Sequence, residues 1–177
     1  TIRGITLKNR IEIAPISVFD LDTTPERHPS ERDMQFFRMR AMGGAAVVTL
    51  GDCIVDPSGE DSGKLASPKI LAGHEDNLPF LTRIADEIHR YGAVASIELN
   101  HCGHYGTPRP GYSLIGPMNL TMPNGKVVKA MDRDEMERVA EYFAYAAWIG
   151  KRGGYDMVNI HAAHNWLLGS FFSPEGN

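Results

Sequence analysis

IEIAPISVFD, residues 11–20, is the stretch that decides between two folds. Residues 11–16 are short and apolar, and Pro15, which cannot donate to a central ladder, predicts the end of a buried strand. A nucleotide-binding doubly wound sheet places a glycine-rich turn after its first strand, and no glycine stands between Ile11 and Asp20. Downstream, Ser30 offers an N-cap before ERDMQFFRMRAM, where Met34, Phe37 and Ala41 fall at helical spacing and Gly43-Gly44 stop the helix. AAVVTL at 45–50 is too short for a helix, is rich in β-branched residues, and reads as a second strand. Residues 75–91 carry Leu78, Leu81, Ile84, Ala85 and Ile88 on one helical face, closed by Gly92.

AVASIEL at 93–99 predicts a third strand, followed by a long loop to about residue 131. Asp132 and Glu135 form a D-x-x-E capping box, which starts a helix through about Lys151. Its buried side is read as Met136, Val139, Phe143 and Ala146-Ala147, and Gly153-Gly154 release it. DMVNIH at 156–161 is a fourth strand, and HNWLLGSFF opens a further helix. Phe36, Phe37, Phe143, Trp148, Phe171 and Phe172 are expected on helix faces turned to the core.

A β-α-β-α-β-α-β order with strands apolar on both faces argues for parallel βα units. The glycine-free first turn favours a (β/α)8 TIM barrel, an α/β fold, over the doubly wound sheet. A complete barrel takes about 250 residues. The chain has 177 and four strands, which predicts the first four βα units, with residues 1–177 as one N-terminal half-barrel.

A net charge of −4, from 18 Lys+Arg against 22 Asp+Glu, provides no footprint for a phosphate backbone and argues against nucleic acid as a partner. TIRGITLKNR lacks the apolar core of a signal peptide, and nowhere do 18 apolar residues run together, so a cytoplasmic protein with no membrane partner is expected. Cys53 and Cys102 are too few for a disulfide scaffold and read as buried, inert thiols.

Barrel enzymes build their sites at the C-terminal ends of the strands. Those positions are Ala14-Pro15-Ile16-Ser17, Gly51-Asp52, Glu98 with Asn100 and His101, and His161 with His164. Four of the seven histidines, His101, His104, His161 and His164, leave the third and fourth strands. Nitrogen and oxygen ligands at one barrel mouth leave a metal-dependent hydrolase open, using His161, His164, His101, Asp52 and Glu98. A non-catalytic half-barrel kept for packing is also open. Arg109 and Tyr112, in the long loop, are open to substrate contact but read first as a solvated loop.

LKNRIEIAPIS (7–17), Glu98 followed by LNHCGHYG (99–106), and GGYDMVNIHAAHNWLLGSFFSPEGN (153–177) together resemble the old yellow enzyme family of FMN-dependent ene reductases. The likeness is nearest to its 2,4-dienoyl-CoA reductase and bile-acid-inducible NADH:flavin oxidoreductase branch, and it covers the first half of that family's barrel. The resemblance implies FMN, reloaded by NADH or NADPH, and hydride transfer to the β-carbon of an α,β-unsaturated carbonyl, an enone or an enoyl thioester. It implies that Ala14, Pro15, Ile16 and Ser17 lie against the isoalloxazine ring, with Ser17 approaching flavin O4 and N5. Gly51 takes the place of a small residue under the ring. His161 and His164 match the catalytic pair that holds the substrate carbonyl oxygen, where two donors would stabilise the enolate-like charge; His161 also borders the cofactor.

Two positions depart from the family pattern. Trp166 stands where many members have the tyrosine that protonates the α-carbon, and an indole N–H is a donor only. Glu98 stands where the family has a glutamine at the flavin's pyrimidine edge. There it is expected to stay protonated or to lower the flavin potential, unless it turns away to pair with His101 or a lysine. In the family, later strands supply a flavin-contacting arginine and the phosphate loops, so this chain is expected to pair with the missing half-barrel or with another copy.

Overall fold

The computed structural model describes residues 1–16, 27–57, 69–106, 113–174 and 177. Four strands, β1 (Glu12–Ile16), β2 (Val47–Ile54), β3 (Val94–Asn100) and β7 (Met157–Ile160), form one parallel sheet in the order β1-β2-β3-β7. Spatial order follows chain order, the arrangement of a barrel wall. The helices α1 (Glu31–Met42), α2 (Leu78–His89) and α3 (Arg133–Arg152) alternate with them, and a short α4 (Leu167–Phe172) follows β7.

The predicted caps form. Ser30 Oγ accepts from the Asp33 amide while the Asp33 carboxylate accepts from the Ser30 amide, and Asp132 and Glu135 make the same reciprocal box on α3. Each such cap contributes about 1 kcal/mol by satisfying donors the first helical turn leaves open. Met34, Phe37 and Ala41 from α1 and Leu81, Ile84, Ala85 and Ile88 from α2 pack on Val48, Leu50, Ala95, Ile97 and Leu99. Alternation along β3 turns Ala95, Ile97 and Leu99 into this layer, and therefore Ser96, Glu98 and Asn100 to the opposite face, the barrel interior.

The expectation of strands buried on both faces holds for β2 and β3 and fails for β1 and β7, where exposure alternates. These two are the edge strands. Val158 and Ile160, in register with Ile97 and Leu99, are more than 40% exposed. Pro15 does not end β1, which continues to Ile16, because an edge strand has a side on which a missing N–H costs no ladder bond. β2 runs past residue 50 to Ile54, where Ile54 N donates to Ile70 O and Ala72 N to Ile54 O.

The segment read as one loop from 100 to 131 carries a second sheet of β4 (Leu114–Gly116), β5 (Leu120–Thr121) and β6 (Val127–Ala130), ordered β4-β6-β5. Strands of two to four residues are too short to carry a periodic signal. On α3, Met136 is exposed, not buried. Among the aromatics, Phe37 is fully buried, whereas Trp148 and Phe172 face solvent. Trp148 stacks on Tyr145 and lies 4.7 Å below the Arg152 guanidinium, a surface arrangement. Both cysteines are buried thiols, and burial pushes Cys53 well up. No helix among the described residues is long and apolar enough to cross a membrane.

Candidate active site at the strand ends

The C-terminal ends of β1, β2 and β3 meet around Gly51, and β7 lies on the far side of β3. A Cβ on Gly51 would lie 2.8 Å from Glu98 Cβ, 2.9 Å from Glu98 Oε2 and 2.9 Å from Pro15 Cβ. Only glycine lets the neighbouring strands bring Pro15 and Glu98 this close. Glu98 is 7% exposed, and burial raises its pKa against the opposing pull of His161.

Among the described residues the Glu98 carboxylate pairs with a neighbouring histidine, His161, and not with His101 or Lys69. Its Oε1 lies 3.0 Å from His161 Nδ1, and His161 Nε2 lies 3.4 Å from His164 Nδ1. Both edges of the His161 ring are therefore engaged. His164 and Asn165 follow β7 with φ of +54° and +57°. Two consecutive non-glycine residues in the left-handed region store backbone strain, and here it turns the His164 ring back onto His161.

Neighbouring loops hold this turn in place. Leu167 N donates to His101 O at 3.1 Å, and Gly103, at φ +57°, lies against Leu167, which would sit 3.0 Å from any added Cβ. His101 serves this joint: its Nδ1 accepts from Gly103 N at 3.1 Å, and burial lowers its pKa to about 4. Among the described residues no three His, Cys, Asp or Glu side chains converge as a metal site.

That His101 shift has a measurable consequence. An unfolded histidine binds its proton near pH 6.5 and the folded one only near 4, so folding is favoured above 6.5 and this contribution is lost as pH falls toward 4. In the full-length protein, stability from urea unfolding drops between pH 7 and 4.5 by about 2–3 kcal/mol more in wild type than in His101→Gln. Equal drops in both would refute the role of buried His101.

Lys69 was missed in the sequence, because a single lysine in a loop has no spacing signature. Buried at 7% exposure, it pairs with Asp52 Oδ2, which also accepts from Asn100 Nδ2, and its ammonium lies 4.6 Å above the Trp166 ring. Trp166 packs on Ile54, Leu71 and Cys102, 5.5 Å edge-on from Tyr105 and 6.4 Å from His161. The expected role of Ser17, and the loop reading of Arg109 and Tyr112, lie outside the described residues.

Two acceptors at the strand ends fit the N–H of a flavin. Asn100 Oδ1 is buried with no partner among the described residues, and the Glu98 carboxylate beside it is a second acceptor. Both suit the single N–H of a pyrimidine edge. Parallel strands whose C-terminal ends collect a buried carboxylate, a histidine pair and an indole put these groups on the face where (β/α)8 barrels build their sites. The chain belongs to the NADH:flavin oxidoreductase / NADH oxidase family, which it matches over residues 1–177.

Among its relatives, the NADPH dehydrogenase of Halalkalibacterium halodurans is 27% identical over 177 residues, 99% of this chain and 50% of that protein. The fold is that of Old Yellow Enzyme from Pichia sp. AKU4542, with a TM-score of 0.85 at 21% identity over 98% of this chain and 47% of that one. It is also that of morphinone reductase in complex with tetrahydroNAD, with a TM-score of 0.83 at 22% identity over 98% of this chain and 51% of that one. The chain thus spans about half the length of the curated relatives it matches.

Proposed function

We propose that residues 1–177 form the N-terminal half of an FMN-binding barrel that reduces an α,β-unsaturated carbonyl, an enone or an enoyl thioester, at the expense of NADH or NADPH. The observation that carries this reading is the Glu98–His161–His164 chain at the strand ends. Ala14, Pro15, Ile16, Gly51, Glu98 and His161 would border the cofactor, with Ser17 beside them. FMN bound there supplies the hydride that reaches the substrate β-carbon.

The protein's own contribution is control of one proton. With Glu98 ionised, His161 donates Nδ1–H to the carboxylate and its Nε2 is left as an acceptor, filled by His164 Nδ1–H. One further proton on the pair, on the imidazole or on the carboxyl, makes Nε2–H a donor. His161 and His164 can then both donate to the substrate carbonyl oxygen, where the charge develops. Glu98, with its raised pKa, holds that proton into a higher pH range than an exposed carboxylate would. Carbonyl activation is therefore favoured at lower pH and fades as the pair deprotonates.

The open edges, β1 and β7, and the exposed Val158 and Ile160 suit pairing with the remaining strands of a barrel, in the same chain or in a second copy. The test is direct. Purified full-length protein is expected to be yellow, with flavin absorbance that NADH or NADPH bleaches and an unsaturated carbonyl restores. Colourless protein carrying stoichiometric zinc would refute the reading in favour of a hydrolase.

A further inference from the structure

We propose that Tyr105 is the general acid that delivers the α-carbon proton, the role Trp166 cannot fill. This inference rests on the carbonyl-reduction reading above. Reduction of the C=C bond places a hydride on the β-carbon, its two electrons drawn from NADH or NADPH by way of the cofactor, and leaves the substrate as an enolate. The enolate must then form a Cα–H bond, and a group on the mouth of the barrel delivers that proton faster than water or buffer.

Trp166 occupies the turn after β7, and its N–H does not act as an acid in water. Tyr105 ends the single helical turn Gly103–Tyr105 that follows β3, with its ring 5.5 Å from Trp166. Its other neighbour is the His104 ring at 4.2 Å, whose pKa burial lowers, so that His104 favours the neutral form. No described residue binds the Tyr105 hydroxyl, and the side chain is 42% exposed, open both to a ligand and to water. The other described candidates fare worse. Tyr91, Tyr142 and Tyr155 pack against the helix-layer core and Tyr145 hydrogen-bonds Glu75, while Lys69 is enclosed by Asp52 and the indole face.

In the step, the Tyr105 O–H bond breaks, the substrate Cα–H bond forms, and water returns a proton to the phenolate, so the enolate ends as the saturated carbonyl. His161 and His164 release the carbonyl oxygen as its charge disappears.

The experiment uses full-length, FMN-loaded enzyme with 2-cyclohexenone and crotonyl-CoA as probes. Tyr105→Phe, which removes only the hydroxyl, is expected to lower product formation at least about 100-fold, the range of a lost general acid. The loss falls on kcat, in reoxidation by the probe. Turnover of Tyr105→Phe becomes dependent on the concentration of buffer acid, which a purely structural role would not produce, and Tyr105→His recovers part of the rate. Wild-type turnover in Tyr105→Phe, or a loss seen in Tyr112→Phe or Lys69→Met in its place, overturns the assignment of Tyr105 alone. A yellow wild-type enzyme that neither probe reoxidises overturns the carbonyl-reduction reading, and Tyr105's role with it.

Discussion

In the full-length holoenzyme, His161→Ala is expected to lower kcat/KM for an unsaturated carbonyl by about 100- to 1,000-fold, the usual cost of removing one donor from an oxyanion site. The size of the loss follows from where His161 stands. It is the middle member of a three-residue chain, bonded to Glu98 through Nδ1 and meeting His164 through Nε2. On the proposed function its removal takes away one donor to the carbonyl, and it leaves His164, on a strained turn, without the group it faces. Glu98, buried and deprived of its partner, then takes up a proton more readily still, since a buried carboxylate without a donor is costly when ionised. Because the donated bond strengthens only as charge develops, kcat and kcat/KM should fall together. The measurement is steady-state kinetics with 2-cyclohexenone; a variant with unchanged kcat/KM would place the substrate oxygen elsewhere.

Glu98→Gln is expected to raise the midpoint potential of the bound flavin and to flatten the pH dependence of carbonyl reduction. A carboxylate at the pyrimidine edge opposes the negative charge that reduction places there, and little water screens it in a site where Glu98 is only 7% exposed. In a two-electron couple, each 1.4 kcal/mol of relieved repulsion corresponds to about 30 mV, and a shift of at least that size is expected. The pH effect has a separate origin. An amide can donate to His161 Nδ1 at any pH and so leaves Nε2–H available as a donor, whereas the wild-type pair has to hold an extra proton to do the same. Wild-type activity therefore declines as pH rises through the pair's apparent pKa, which the raised Glu98 pKa moves upward, and the Glu98→Gln profile stays level there. An unchanged potential at several pH values would show that Glu98 serves His161 alone and does not reach the cofactor.

The elements legible in the sequence share one property: each is specified by local spacing. The D-x-x-E box at Asp132 and Glu135, the glycine stops at 43–44 and 153–154, and the Met34, Phe37, Ala41 stripe depend on residues within a few turns of one another. The parallel order of βα units follows from chain connectivity, and strand-end positions locate a barrel's chemistry before any distance is known. That is why Gly51, Glu98, His161 and His164 could be named together, although 110 positions separate Gly51 from His161. The elements that were misread depend on neighbours distant in sequence. Met136, Trp148 and Phe172 look like core by periodicity, yet all three are exposed because no described element packs over them. β4, β5 and β6 exist through pairing with one another.

The 177 residues by themselves determined a parallel βα wall with its polar residues collected at one end, because side-chain periodicity and chain order act locally. Only the tertiary structure decided what those polar groups do to each other. It gave Glu98 to His161, set His101 as the buried neutral brace of the following loop, and closed Lys69 under Trp166 against Asp52. Pairings of this kind depend on distances of about 3 Å between residues up to 63 positions apart and on the water excluded around them, and a linear pattern encodes neither.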